Sequence, residues 1–329
     1  MGMLIDGVWH EGDTRQRETA ADGSFKRTES IFRNWVTADG SAGPSGTDGY
    51  KAEPDRYHLY VAHTCPWAHR ALLFRTLKGL DGIISVSYAL PGRNAQGWTY
   101  GDDPRYPDCT PDTVNGFKHL HEAYSATDPK YTGKVTVPTL WDKKRGRVVN
   151  NESSEIIRMF NGAFAAYTNN HEDYYPADLR AEIDALNDEI YVAVNNGVYR
   201  CGFATTQEAY EAAFDRLFAC LDRLEGILAT RRYLLGDRLT EADWRLFPTL
   251  IRFDVAYVGA FKCNLRRIVD YPNLWGYTRE LYQMPGIAET FSVEYAKLNY
   301  YGIEKINPTG IVPKGPDIDF TTPHGRERL

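Results

Sequence analysis

The sequence predicts an α/β domain followed by an all-α domain, and three observations carry this. A strand–helix–strand run occupies residues 57–88, a hairpin with a proline in its first strand follows at 135–149, and beyond Tyr175 apolar residues recur at spacings of three or four. At 329 residues the chain is long enough for two domains, and 43% hydrophobic with 25% charged residues is ordinary for a protein that buries a real core.

Taken in order, residues 1–50 are rich in Gly, Ser, Thr and Asp, broken by the aromatic segment Ile31-Phe32-Arg33-Asn34-Trp35-Val36. They read as an extended arm that docks by its aromatics. The first domain spans 51–165. Tyr57 to Ala62 is an apolar run of strand length, Pro66 to Gly79 an amphipathic helix and Ile83 to Tyr88 a second strand, a βαβ start with parallel strands. A long insertion at 91–136 follows, with Trp98, Tyr100, Tyr106 and a helix expected over Asp112–Tyr124. Insertions of this length are uncommon and often functional. Val135 to Trp141 then reads as a strand, with Arg147-Val148-Val149 as its hairpin partner. Pro138 inside it implies an edge position or a special geometry such as a cis peptide.

The all-helical domain spans 175–305. Leu179, Ile183, Leu186, Ile190 and Val194 share one helical face, as do Ala213, Leu217, Leu221, Leu224 and Leu228. Thr240 and Asp243 form a capping box ahead of Trp244, and Pro248 is expected to kink the helix that follows. The tail, 306–329, has four prolines and little apolar content, so it wraps the surface or is disordered.

A net charge of −6 without a clustered Lys/Arg run argues against nucleic-acid partners. No apolar run approaches the roughly 20 residues that cross a bilayer, so no membrane partner is expected and the cytoplasm is the expected location. Five scattered cysteines, at 65, 109, 201, 220 and 263, suit reduced thiols better than a disulfide framework.

Cys65-Pro66-Trp67-Ala68 is the most informative motif. A proline at the first helical position marks a helix start. The Cys65 sulfur therefore lies where unpaired N–H groups and the positive end of the helix dipole favour a thiolate. Ala68 stands where a second, resolving cysteine would be, so a mixed disulfide at Cys65 must be resolved by an outside thiol, as in a one-cysteine, glutathione-using site. His63 and His69 raise two rivals, a Cys–His nucleophilic pair and a metal site; the latter lacks a fourth ligand at suitable spacing, and no metal is expected. Val137-Pro138, if cis, leaves the preceding backbone exposed for an extended peptide to pair with, and is otherwise an edge-strand proline. The helix start at Asn150 to Glu155 can bind a ligand carboxylate through free N–H groups and a hydroxyl, and an ammonium through Glu152, or can be a plain N-cap.

Cys65-Pro66-Trp67-Ala68, Val137-Pro138 and Glu152-Ser153 together resemble the glutathione transferase superfamily, whose fold is a thioredoxin-like domain followed by a helical one. The same box, the segments Val135–Asp142 and Asn151–Asn161, the run Asn195-Asn196-Gly197-Val198-Tyr199 and the stretch Ile306–Pro313 resemble the Xi class, the glutathionyl-hydroquinone reductases. The resemblance spans nearly the whole chain. It implies conversion of glutathionyl-hydroquinones to hydroquinones with release of oxidised glutathione. On this sequence Cys65 takes glutathione off the substrate, Trp98, Val137, Glu152 and Ser153 hold glutathione, and Tyr199 and Tyr300 face the hydroquinone. It also implies a homodimer. Glu294 to Asn299 is less basic than the family pattern, which leaves Tyr295, Tyr300 and Tyr301 as alternatives for the second tyrosine. The competing readings are an omega-like thiol transferase acting on dehydroascorbate or glutathione disulfides, and a non-catalytic protein on the same fold.

Overall fold

The computed structural model describes residues 2–12, 18–92 and 95–329. Residues 13–17 of the arm and 93–94 of the insertion lie outside the described residues. The described residues form two compact units: 2–12 with 28–172, and 18–27 with 173–329. The arm expected over 1–50 is therefore not a body of its own, because its aromatics dock in two places. Phe32 packs on Tyr124 and Tyr131 in the first unit, and Phe25 on Tyr199 and Phe203 in the second.

In the first unit, β1 (Met3–Ile5) and β2 (Val8–His10) form an antiparallel hairpin, and β3 (Trp35–Thr37) pairs in parallel with β4 (Gly49–Lys51). The central sheet contains β5 (Tyr57–Val61), β6 (Ser85–Tyr88), β7 (Thr139–Asp142) and β8 (Arg147–Asn150) in the order β6-β5-β7-β8. β5 and β6 are parallel, as the βαβ pattern requires, while β7 and β8 run antiparallel. Every residue of β5 is buried, which is why it reads as a continuous apolar run with no alternation. α1 (Pro66–Leu77) packs beside α3 (Ser153–Gly162).

Two local expectations are corrected. The insertion's helix, α2 (Leu120–Thr127), starts eight residues later than Asp112. The Asp112 carboxylate accepts hydrogen bonds from the backbone N–H groups of Val114, Asn115 and Phe117, which builds a turn where a helix was expected. The strand expected from Val135 begins only at Thr139. The Val137–Pro138 peptide is cis, and the Tyr124 hydroxyl occupies both the N–H and the C=O of Thr136, so 135–138 stays out of the ladder.

The second unit contains α4 (Arg180–Ile190), α5 (Gly197–Phe203), α6 (Gln207–Leu228), α7 (Glu241–Arg252), α8 (Val258–Ala260), α9 (Pro272–Tyr282) and α10 (Val293–Tyr301). Both bonds of the Thr240/Asp243 capping box are present at the start of α7. This helix continues through Pro248 and passes at Phe253 into a wider π-helical turn ending at Tyr257. The tail takes the first of its two expected forms. It is irregular but held, with Phe320 buried and the Arg326 guanidinium bonded to Glu280 and to the carbonyls of Leu228, Arg231, Arg232 and Asn273.

Candidate active site

Cys65 lies at the carboxyl end of β5, after a tight turn closed by its own N–H on the Ala62 carbonyl at 3.0 Å. Its backbone is extended, Pro66 takes the first helical position, and the Cys65 carbonyl accepts the first helical bond from His69 at 3.0 Å. The residue is thus the N-cap of α1, and its thiol donates to the Val137 carbonyl at 3.6 Å with the side chain only 8% exposed. The dipole of a 12-residue helix points its positive end at this sulfur.

Glu152 caps α3. Its carboxylate accepts from the Ser154 N–H at 3.1 Å, the Ser154 hydroxyl at 2.8 Å and the Ser30 hydroxyl at 3.0 Å. Burial alone would raise its pKa, but these hydrogen bonds, helped by the positive charge of Arg70, outweigh it and hold the carboxyl below the ordinary range. Ser153 occupies the first helical position beside it and is buried. Asn151 ties this corner to the cis-proline segment: its amide donates to the Tyr124 hydroxyl at 3.0 Å and to the Thr136 hydroxyl at 3.2 Å. Trp98 is half-buried in the insertion, and its carbonyl accepts from Leu120 N–H at 2.9 Å, at the start of the helix that carries Tyr124.

The first unit therefore joins the segments bearing Cys65, Val137, Glu152, Ser153 and Trp98, through connectors the sequence reading missed: Ser30, Tyr124, Thr136 and Asn151. Ser30 lies some 120 positions from Glu152, and no periodicity signals such a contact. His63 stacks on Tyr88 with centroids 4.3 Å apart, His69 is buried, and the described residues hold no group of three or more metal-ligating side chains. Cys109, Cys201, Cys220 and Cys263 are all buried, and burial pushes the Cys220 thiol up to about 12.

In the second unit three tyrosine hydroxyls form a chain. Tyr199 on α5 and Tyr300 on α10 are 2.8 Å apart, and Tyr300 and Tyr257 are 2.9 Å apart. Burial pushes the Tyr257 and Tyr300 phenols well up, so both stay protonated. Tyr199 is half-buried and sits among Phe25, Phe203 and Phe261. Of the three alternatives near the end of the helical domain, Tyr300 is the one in this chain; the Tyr301 hydroxyl is packed against Gly259, where a Cβ would lie 2.1 Å from it. Tyr257 escaped the sequence reading because nothing sets it apart from the other 21 tyrosines.

The family model described as "Glutathione S-transferase, N-terminal domain" matches residues 64–163, and "Glutathione S-transferase, C-terminal domain" matches 207–280. Glutathionyl-hydroquinone reductase YqjG of Escherichia coli (strain K12) is 54% identical over 99% of each chain. This chain belongs to the glutathione S-transferase family. Glutathionyl-hydroquinone reductase PcpF of Sphingobium chlorophenolicum is 52% identical to this transferase over 96% of each chain. The glutathione-bound structure of YqjG superposes with a TM-score of 0.91 at 52% identity, covering 99% of each chain. The glutathione-S-transferase Xi from Phanerochaete chrysosporium gives 0.87 at 48% identity, covering 93% of this transferase and 96% of its own chain. The Xi-class resemblance drawn from the motifs is thereby borne out, and with it the two-domain transferase fold.

Proposed function

We propose that this transferase reduces glutathionyl-hydroquinones to hydroquinones with glutathione as the reductant. The observation that carries the reading is a near-full-length match to two reductases of that name, in a chain whose helix-capping Cys65 has no second cysteine three residues on. The Cys65 thiolate attacks the glutathionyl sulfur. Before this attack the ring carbon that bears the sulfur takes up a proton while the ring hydroxyl gives one up, so the substrate reacts as its keto tautomer; the sulfur–carbon bond then breaks, its electron pair passes through the ring to the carbonyl oxygen, and that oxygen takes a proton as the aromatic hydroquinone re-forms. A second glutathione thiolate then attacks the Cys65–glutathione disulfide, giving oxidised glutathione and the free thiolate.

In this reading Trp98, Val137, Glu152 and Ser153 hold glutathione. The Val137 backbone pairs with the peptide, while the α3 start offers N–H groups and a hydroxyl to a carboxylate and the ionised Glu152 to the ammonium. Tyr199 and Tyr300 face the hydroquinone, Tyr199 donating to its oxygen and Tyr300 donating in turn to Tyr199. The proposal also places the protein in the cytoplasm as a homodimer: five cysteines outside any disulfide suit a reducing compartment.

The test is turnover of glutathionyl-menadiol with excess glutathione, following hydroquinone and oxidised glutathione together, beside a dehydroascorbate control. Equal amounts of both products are expected, lost in Cys65→Ser and retained in Cys109→Ser and Cys220→Ser. Equal loss in all three variants removes Cys65 as the nucleophile. Brisk dehydroascorbate reduction without thioether cleavage moves the assignment to an omega-like thiol transferase; a Schizosaccharomyces pombe relative 44% identical to this chain carries the name glutathione S-transferase omega-like 2.

A further inference from the structure

The second unit includes one piece of the arm, residues 18–27, and its construction is specific. A bridge pairs Thr19 with Phe25, and the Gly23 carbonyl accepts from both the N–H and the hydroxyl of Thr205, at 3.0 and 3.2 Å. The Asp22 carbonyl accepts from the Thr206 hydroxyl at 2.9 Å. Gly23 has φ +83°, and a Cβ there would come within 2.6 Å of Thr206, so this glycine admits the close approach. The clip is thus bolted to the turn between α5 and α6, and what it delivers is Arg27. The guanidinium lies 4.6 Å from the centroid of the Tyr199 ring, and its Nε donates to the buried Asn196 side chain at 2.9 Å. Phe25 covers the same ring, with centroids 6.5 Å apart.

From this geometry we infer that Arg27 is a positioning residue for the reduction, acting through Tyr199. The inference rests on the role proposed for Tyr199. When the carbon–sulfur bond of the keto tautomer breaks, its electron pair passes through the ring onto the carbonyl oxygen, and the Tyr199 hydroxyl answers by donating a stronger hydrogen bond. Negative charge then grows on the phenol. A cation over the phenol face stabilises that charge, and the Asn196 bond keeps the cation there. Tyr300, bonded to Tyr199 at 2.8 Å, fixes the hydroxyl end while Arg27 and Phe25 fix the ring. The arm therefore contributes to the chemistry although it lies far from Tyr199 in sequence.

The test compares Arg27→Gln, which keeps an N–H for Asn196 but removes the charge, with Arg27→Lys, each alone and in a Tyr199→Phe background. The substrates are glutathionyl-menadiol and the mixed disulfide of glutathione with 2-mercaptoethanol; cleaving the latter requires no phenol. Expected for Arg27→Gln is a fall of about tenfold in kcat on glutathionyl-menadiol, with KM and disulfide exchange near wild type. Arg27→Lys recovers most of the loss, and adding Arg27→Gln to Tyr199→Phe costs nothing further. An unchanged kcat overturns the proposal. So does an equal loss on both substrates, which marks a merely structural role, or an undiminished effect in the Tyr199→Phe background. Wild-type protein that leaves the thioether intact, or Tyr199→Phe that cleaves it at full rate, overturns the underlying role of Tyr199 and the Arg27 inference with it.

Discussion

Asp112→Ala tests whether the insertion acts as part of the glutathione site. The Asp112 carboxylate is buried and accepts from the Tyr60 hydroxyl at 3.0 Å and from the N–H groups of Val114 at 2.9 Å, Phe117 at 3.0 Å and Asn115 at 3.3 Å. A hydrogen bond to a charged acceptor contributes about 1.5–3 kcal/mol. The cost is not four times that, because Val114 and Phe117 are half-buried and Asn115 exposed, so water reaches their N–H groups once the carboxylate is gone. Tyr60 is fully buried, and its O–H is left without an acceptor. We expect a loss of about 3–4 kcal/mol, most of it from Tyr60. Function should suffer through geometry. Lys118 and Leu120, just beyond the Asp112 turn, hold Tyr100 and Trp98 by backbone bonds of 2.9 Å, so the variant frees the segment carrying Trp98. The assay is a urea titration beside steady-state kinetics. The expected result is a lower midpoint with KM for glutathione raised about tenfold and kcat within twofold. A wild-type midpoint refutes the hydrogen-bond argument, and a fall in kcat with KM unchanged refutes the placement of Trp98 against glutathione.

Two further outcomes follow from buried charge. His58 lies inside the sheet between the hydroxyls of Ser85, at 2.8 Å, and Ser87, at 3.1 Å, and burial lowers its pKa to about 4. It is neutral when folded and takes up a proton on unfolding below its ordinary value near 6.5, so its contribution is present above pH 6.5 and lost as pH falls toward 4. Between pH 7.5 and 5, wild type should lose about 2 kcal/mol more than His58→Asn in urea titrations; parallel pH profiles would show that His58 is not held neutral. Arg326→Met should cost about 3–5 kcal/mol, because it strips four backbone carbonyls of their donors and removes one of two cations from the buried Glu280 carboxylate. Limited proteolysis should then cut the tail first, with Arg326→Lys only partly protected, and an unchanged digestion pattern would deny the anchoring role.

Much of this architecture was legible because it is written in local patterns. β5, α1 and β6 follow from an apolar run, a helix-starting proline and a second run, and the α7 cap from Thr240 and Asp243 three residues apart. The failures have two causes. A helix is expected from Asp112, but its carboxylate bonds N–H groups up to five residues on and thereby builds a turn. The arm reads as one element, yet Phe25 and Phe32, seven positions apart, pack in different units. Tyr257 carries no local mark, since its partner Tyr300 lies 43 positions away. The last two depend on contacts at long sequence separation, which propensity and periodicity do not encode, while at Asp112 a local side-chain bond to the backbone overrides helix propensity.

Contacts at long sequence separation also position the Cys65 thiol. Under the proposed role, a helix-capping cysteine without a Cys-x-x-Cys mate would gain its reactivity from helix, turn and neighbouring carbonyl together, so each of them must be fixed independently of substrate. Cys65 is set by the β5–α1 turn and by the Val137 carbonyl, 72 positions away. Val137 follows Thr136, which is gripped by Tyr124 from α2 and by Asn151 from the corner before α3. The same α2 begins at Leu120, whose N–H holds the Trp98 carbonyl. A single tyrosine hydroxyl, Tyr124, thus touches the cis-proline segment and the α3 corner while its helix carries the insertion. Loss of that hydroxyl therefore relaxes two of the segments assigned to glutathione at once, those of Val137 and Glu152, whereas loss of any one peripheral contact relaxes only its own.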